Sequence, residues 1–223
     1  VCTPGQSQCT DSSTRVDCNA DGTVATPTTC LNGCVAGGCT LGSEADSCGT
    51  AVDIGNGGTF TGTFDTFTNT LDHSGSCAGE TEDGPDIFFS ANLAQDDILR
   101  VNVQSIGFES PLVYFLSDCS GDIAACLGGA HENSTGQNGD DNVRLEYRAA
   151  ADETVFIVID NEISSADEPL HVTFDILTPD CDPATHQQVC NAGGTGFQYC
   201  DDRGFLQEYA CAGVATCEAT TGR

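Results

Sequence analysis

Apolar and polar side chains alternate through much of the middle of this chain. In residues 99–104, 143–148 and 170–176, every second residue is apolar. A period of two is typical of a β-strand with one buried and one solvated face. These three segments therefore predict strands that each present one side to a core.

Other segments are apolar more continuously. Residues 86–89 and 155–159 have this pattern, which predicts central strands, and shorter strands are expected at 58–64 and 112–116. About seven or eight strands, no convincing helical period and Gly-, Asp- and Asn-rich connections are typical of all-β domains. We expect an antiparallel, jelly-roll-like β-sandwich over residues 48–178, a length sufficient for one apolar core.

Cysteine-rich segments flank this predicted sandwich. Of 15 cysteines, six lie in residues 1–40 and five in residues 179–223. The first segment reads C-x6-C-x8-C-x11-C-x3-C-x4-C, and the last reads C-x8-C-x9-C-x10-C-x5-C. The similar layout predicts two small disulfide modules, the second apparently incomplete, with residues 41–47 as a hinge after the first.

The odd cysteine count leaves three alternatives open. One thiol forms an intermolecular bond, is free, or finds its partner in a continuation of the chain beyond Arg223. Zinc is the alternative to disulfides, and only Cys30, Cys34 and Cys39 come near zinc-ligand spacing. The first segment has no histidine, so disulfides are favoured, and with them an oxidising, extracellular compartment.

Charge narrows the possible partners. The chain has 34 acidic and six basic residues, for a net charge of −28. Such a surface repels nucleic acid and anionic membranes and attracts cations. There is no apolar run long enough to span a bilayer, and Val1 leads straight into Cys2 without a signal peptide. We expect a secreted or cell-surface protein in its mature or excised form.

Four short motifs, in order, resemble the bacterial pre-peptidase C-terminal family. They are the Ala-Asp-Ser-Cys start at 45–48 with the glycine-bounded strand 58–62, the Gly-Pro-Asp-Ile-Phe-Phe strand at 84–89, strand 112–115 with its two following cysteines, and strand 153–160. The resemblance implies a non-catalytic β-sandwich, of the kind appended to secreted bacterial proteins. Loop 128–142 is longer than is usual in that family, and the flanking segments resemble cysteine-rich repeats of bacterial surface proteins.

The resemblance also implies disulfide pairings and a metal. It suggests that Cys48 bonds to Cys77 and that Cys119 bonds to Cys126. Some relatives bind calcium at the edge of the sandwich. The resemblance therefore favours a calcium site, as the acidic loops also do.

Calcium takes six to eight oxygen ligands from carboxylates and carbonyls in loops. Three acidic loops could supply them, although none follows the EF-hand pattern. The alternative is that these acids cap their own turns. The candidate ligands are Glu80, Glu82, Asp83, Asp86, Asp140, Asp141 and Asp160.

Catalytic motifs are not recognisable in this sequence. It has neither Gly-x-Ser-x-Gly nor His-Glu-x-x-His, and its four histidines are far apart. We therefore expect a non-enzyme with no cofactor other than calcium. Asn133 begins a glycosylation sequon.

Aromatic residues give a weak indication of carbohydrate binding. The chain has no tryptophan and four tyrosines. We expect Tyr114 and Tyr147 to be buried on strands, and Tyr199 and Tyr209 to form the small core of the last module.

The resulting hypothesis is a non-catalytic structural or adhesive protein of the cell surface or extracellular matrix. It would self-associate or bind neighbouring surface proteins, and could assemble head-to-tail into a filament through its cysteine-rich ends. The alternative is a calcium-dependent accessory module that binds carbohydrate or protein.

Overall fold

A computed structural model gives the fold of this chain. The residues that it describes are 3–4, 6–19, 21–24, 27–30, 32–71, 77–79, 84–106, 111–120, 123–131, 140–161, 170–184, 189–190 and 195–210.

Strands make up nearly all of the regular structure in these residues, and the few helical turns are short 3-10 turns. In chain order the strands are β1 (Ser7–Asp11), β2 (Thr14–Asp17), β3 (Thr28–Thr29), β4 (Cys34–Val35), β5 (Gly38–Thr40), β6 (Val52–Asp53), β7 (Gly57–Gly62), β8 (Ile87–Leu93), β9 (Ile98–Ile106), β10 (Pro111–Leu116), β11 (Cys126–His131), β12 (Asp140–Arg148), β13 (Glu153–Asn161), β14 (Leu170–Leu177), β15 (Val189–Cys190), β16 (Gly196–Cys200) and β17 (Leu206–Ala210).

Two sheets form the central sandwich, as the sequence predicts. One has the order β11-β10-β13-β8-β6 and the other β12-β9-β14-β7-β5-β4. Most pairs are antiparallel, but β5 runs parallel to β7 and β6 runs parallel to β8. The chain divides into two compact units, Val1–Ile176 and Leu177–Arg223, and both sheets lie in the first.

The apolar pattern determines which side of each strand is buried. In β9, Leu99, Val101 and Val103 are fully buried between the sheets, which confirms the predicted alternation. The apolar run of β8 is more continuous because both faces of this strand are buried. Phe89 faces this core, whereas Phe88 packs in a second cluster with Tyr114. A strand with both faces covered needs apolar residues at successive positions.

The first cysteine-rich segment contributes directly to the sandwich. β1, β2 and β3 form a small sheet of their own, whereas β4 and β5 extend the six-stranded sheet through the pairing of β5 with β7. Disulfides Cys9–Cys34 and Cys30–Cys39 link these strands. The segment 41–47, predicted as a hinge, contains a helical turn at Ser43–Asp46, and its Leu41 and Ala45 belong to the core. Buried side chains anchor this connection to the sandwich.

The predicted pairing of the four central cysteines is wrong. All four are in disulfides, but the bonds are Cys48–Cys119 and Cys77–Cys126. The cause is the geometry of the β10–β11 hairpin, in which Leu116 pairs with Cys126. Cys119 therefore lies in the exposed connection beyond the strand end, while Cys126 begins β11.

Both disulfides cover the outer face of the five-stranded sheet. Cys48 and Cys77 pack against the cluster that contains Phe88 and Tyr114. Gly129 makes room for the Cys77 segment, because a Cβ at Gly129 would lie 2.6 Å from the Cys77 carbonyl oxygen. Each bond thus fastens an irregular segment onto the sheet.

The second unit contains the three-stranded sheet β15-β16-β17 and the disulfide Cys181–Cys200. Its turn after β16 contains Gly204 at φ 92°, and the first segment has Gly22 at φ 79° in a similar Asp-containing turn. Positive φ favours glycine in both turns, which agrees with the similar cysteine layout. Every cysteine among the described residues is in a disulfide.

Candidate functional site

Two of the predicted calcium ligands, Asp86 and Asp160, come together at one end of the five-stranded sheet. The register of β13 with β8 pairs Ile159 with Ile87, so the two aspartates are neighbours just beyond this pair. Both are fully buried, and their side chains are hydrogen-bonded to each other. We call these two residues the carboxylate pair.

Backbone N–H groups hold one side of Asp86. Its Oδ2 accepts hydrogen bonds from the N–H groups of Thr70 and Leu71, both at 2.7 Å, and from Thr70 Oγ1 at 3.2 Å. Its Oδ1 is buried and accepts no hydrogen bond from an N–H or hydroxyl group of the described residues, which leaves it to the Asp160 carboxyl. Burial raises the pKa of Asp86 by more than these hydrogen bonds lower it, and the resulting pKa is about 6.

Two buried carboxyl groups in contact fit either a shared proton or a bound cation. Burial of an ionised carboxylate is costly unless a charge or a proton compensates it, and at neutral pH the Asp86 carboxyl would lose its proton. The pair alone supplies too few oxygens for calcium. Among the described residues there is no group of three or more metal-binding side chains.

The remaining predicted ligands stay untested. Glu80, Glu82 and Asp83 lie outside the described residues. Asp140 and Asp141 begin β12 with their backbones, and their side chains also lie outside what the structure describes.

Several acids elsewhere cap their own turns. Asp21 accepts a hydrogen bond from the N–H of Thr23, and Asp118 accepts one from the N–H of Ser120. Hydrogen bonds from the Thr23 and Ser120 hydroxyls, followed by these backbone bonds, lower the pKa of each aspartate. Such acids have a local structural role, and this distinguishes them from the buried carboxylate pair.

A second site, which the sequence did not suggest, lies between the first cysteine-rich segment and the edge of the sandwich. It is a cleft of about 1080 Å³ bordered by parts of β2, β3, β5, β6 and β7. We call it the edge cleft. Arg15 lines it and is 3% exposed. Its Nη1 donates to the Thr59 carbonyl oxygen at 2.9 Å, and its Nη2 donates to Asp17 Oδ2 at 2.8 Å.

Two polar atoms of the edge cleft are buried without a hydrogen-bond partner among the described residues. They are Arg15 Nε and Thr40 Oγ1, and both residues line the cleft. The sequence offered one signal for this site, because Arg15 is the single basic residue of residues 1–40. Its burial depends on the contact of its side chain with Gly58 and Thr59 of β7, which no local pattern predicts.

The tyrosines are distributed only partly as expected. Tyr114 is fully buried, and the Tyr147 hydroxyl donates to Glu153 at 2.9 Å. In the second unit, Tyr209 stacks on Phe197 with ring centres 5.7 Å apart but remains 53% exposed. Its ring therefore covers neighbouring rings without being enclosed in a core.

Of the four histidines, His131 lies on β11 and His171 on β14. His73, His186 and the sequon residue Asn133 lie outside the described residues. The described part of the chain contains no helix of the length and apolarity that a membrane crossing requires.

Comparisons with known proteins identify no family for this chain. No protein-family model matches it, and no curated protein matches it either. One similar solved structure is the pre-peptidase C-terminal domain of a collagenase from Bacillus anthracis, at 8% identity and a TM-score of 0.34, covering 56% of this chain and 94% of that one. Another is BtGH115A, a family GH115 4-O-methyl-alpha-glucuronidase with specificity for decorated arabinogalactans. That match has 14% identity and a TM-score of 0.30, and it covers 44% of this chain and 14% of that one.

Proposed function

We propose that this chain is a non-catalytic, extracellular structural or adhesive protein that assembles through its cysteine-rich ends. The observation that carries the proposal is the continuity between the first cysteine-rich segment and the sandwich. β5 adds to β7 as a parallel strand, with Cys39 opposite Phe60, and Cys39 is at the same time bonded to Cys30. A terminal segment joined in this way is a stiff extension of the sandwich.

Disulfides support the same role and the extracellular compartment. Each cross-link restricts the unfolded chain and contributes about 2–4 kcal/mol of stability. Cys48–Cys119 and Cys77–Cys126 fasten segments that are distant in the sequence. A protein stabilised in this way suits an oxidising environment.

An odd number of cysteines supports assembly. Pairing among the 15 cysteines of this sequence leaves one thiol over, and in this proposal that thiol bonds to a second copy. A contact between unlike ends of successive copies would produce an open filament. The sandwich, which resembles the pre-peptidase C-terminal family in its motifs, would be the spacer between these contacts.

Electrophoresis with and without reductant tests this function. The purified chain should give bands at multiples of the 23.1 kDa chain mass that collapse to one band after reduction. A single monomer band under both conditions, at protein concentrations in the high micromolar range, would contradict covalent assembly.

A second candidate function is that of a calcium-dependent binding module, and the carboxylate pair favours it. The buried Asp86 Oδ1, to which no N–H or hydroxyl group of the described residues donates, would be a ligand, and Asp160 would be its neighbour in the site. Bound calcium would supply the positive charge that the pair lacks and would fix the adjacent acidic segments. Calcium titration of the protein and of the Asp86→Asn variant tests this function, and an equal response of the two proteins would count against it.

A further inference from the structure

Three aromatic side chains lie on one side of the sheet in the second unit. The register of β16 with β17 places Phe197 opposite Tyr209. Tyr199 is two residues further along β16, so its side chain points to the same side of the sheet as that of Phe197. We call these three residues the aromatic face.

Tyr209 covers the other two rings with one side of its own ring. Its ring centre is 5.7 Å from that of Phe197, at an interplanar angle of 12°, and 5.6 Å from that of Tyr199. Phe197 and Tyr199 are themselves 6.4 Å apart, whereas two rings on opposite sides of Tyr209 would be almost twice as far from each other. Both neighbours therefore lie on one side of the Tyr209 ring. The other side accounts for the 53% exposure of this residue.

A hydrogen bond holds the Tyr209 side chain in place. The hydroxyl groups of Tyr209 and Tyr199 are bonded to each other. This bond, followed by partial burial, raises the pKa of Tyr199 above its usual value. A ring that is fixed before a ligand arrives loses little conformational freedom on binding, which favours affinity.

Negative charge lies close to the aromatic face. The carboxylates of Asp201 and Asp202 contribute to the raised pKa of Tyr199. Backbone N–H groups of Phe205 and Arg203 donate to Asp201 and lower the pKa of Asp201, so this carboxyl is ionised at neutral pH. Arg203 offsets one of these charges, and its guanidinium lies 5.9 Å from the centre of the Phe205 ring. The second unit thus already contains one contact between a cation and an aromatic ring.

We infer that the aromatic face binds an organic cation of the quaternary ammonium class on the outward side of the Tyr209 ring. The face of an aromatic ring carries partial negative charge and attracts a cation within about 6 Å of its centre. The methyl groups of a quaternary ammonium ion also gain from apolar contact with the ring. The nearby carboxylates and the net charge of −28 add to the attraction, and they disfavour an anionic ligand.

This inference goes beyond the proposed assembly and does not rest on it. Assembly depends on the odd cysteine, whereas the aromatic face is formed by side chains of β16 and β17. A chain that stays monomeric and binds a quaternary ammonium ion would retain this site and lose the assembly proposal. A chain that polymerises without binding one would do the reverse.

NMR of the whole chain with ¹³C-labelled tyrosine rings tests the site, because the chain has four tyrosines. The probes are choline, its neutral isostere 3,3-dimethyl-1-butanol, and methyl glucoside as a neutral sugar. At low ionic strength choline should shift the Tyr209 ring signals with a Kd on the order of 10 mM. The neutral isostere should bind at least about fivefold more weakly. The ring signals of Tyr114, which is fully buried, should not move.

Two variants of Tyr209 locate the binding, with the choline methyl protons as the readout. Tyr209→Leu removes the ring but keeps an apolar side chain, and it should weaken choline binding at least about fivefold. Tyr209→Phe keeps the ring and should retain the affinity within about twofold. Val189→Ala is the matched control. Val189 is 44% exposed and pairs with Gln198, so it points to the other side of the same sheet, and its replacement should leave binding unchanged.

Four results would overturn the inference. Choline that causes no saturable shift of the Tyr209 signals would show that there is no site. Equal affinity for choline and its neutral isostere would show that apolar contact, and not charge, causes the binding. Tighter binding of methyl glucoside than of choline would identify a sugar-stacking surface instead. Undiminished binding by Tyr209→Leu would place the site elsewhere. The comparison of probes uses the wild type and so does not depend on how well a variant folds.

Discussion

Asp86 and Asp160 share a hydrogen bond on the outer face of the five-stranded sheet, beneath the segment that contains Leu71, although they are far apart in the sequence. Two carboxylates in this position need a proton or a cation between them, because two buried negative charges cannot remain adjacent. The pair is therefore the place where pH and calcium should most affect the stability of the fold.

Stability should fall as the pH rises through the titration of Asp86. The folded pKa is about 6, raised from an unfolded value of 3.8, so the unfolded chain releases this proton first. The stabilising contribution is complete below about pH 4 and is lost as the pH approaches 6 and above. The shift corresponds to a loss of about 3 kcal/mol.

The Asp86→Asn variant tests this pH dependence by urea unfolding in chelator-containing buffers. The amide can still accept from Thr70 and Leu71, so the variant should fold and should have a flatter profile between pH 4 and 6. Asp118→Asn is the control, because Asp118 is exposed and only caps a turn. A steep profile retained in Asp86→Asn would show that other groups cause the loss.

Calcium should stabilise the wild type more at pH 7 than at pH 5. The ion binds the deprotonated pair and must displace any shared proton. A rise in melting temperature in millimolar calcium should appear at pH 7 and should be strongly reduced in Asp86→Asn. No rise at pH 7, or the same rise in the variant, would contradict a calcium site at the pair.

Peptide mapping without reduction should recover Cys48 with Cys119 and Cys77 with Cys126. Removing the second bond, in the Cys77→Ala/Cys126→Ala variant, should lower the free energy of unfolding by about 4 kcal/mol for the separation of 49 residues. Recovery of a peptide that joins Cys48 to Cys77 would contradict the arrangement on the outer face of the sheet.

The junction of the first cysteine-rich segment with the sandwich should be sensitive at Gly58. This residue has φ 147°, and an added Cβ would meet the Arg15 guanidinium at 2.5 Å. Gly58→Ala should therefore cost about 1–3 kcal/mol of unfolding free energy. Gly49→Ala is the matched control, because a Cβ there has no neighbour within 4 Å. Equal stability of the two variants would show that the junction is loose.

Most of the sandwich could be predicted because burial imposes a local pattern. The alternation in β9 follows from Leu99, Val101 and Val103 facing one core, and a period of two is visible in the sequence alone. The doubly buried strand β8 could be recognised in the same way, from the continuous run at Ile87, Phe88 and Phe89.

Long-range partners could not be predicted, because register and topology determine them. Asp86 meets Asp160 only through the pairing of β8 with β13. Cys119 and Cys126 are close in the sequence, yet Cys119 lies beyond the end of β10 and Cys126 begins β11, so each bonds to a different segment. Arg15 is buried because its guanidinium packs against Gly58 and bonds to Thr59 on β7. None of these relationships has a local sequence signal.

Salt should promote assembly if the chain forms filaments. The net charge of −28 makes copies repel one another in dilute buffer, and the Debye length falls from about 30 Å at 0.01 M to about 8 Å at 0.15 M ionic strength. Light scattering should therefore increase with sodium chloride concentration. Scattering that decreases as salt is added would indicate attraction between opposite charges instead.

Electron microscopy of the purified, oxidised chain at physiological ionic strength tests assembly through the cysteine-rich ends most directly. Filaments or linear oligomers, which separate into single particles after reduction, are the predicted result. A field of single particles under both conditions would contradict the account.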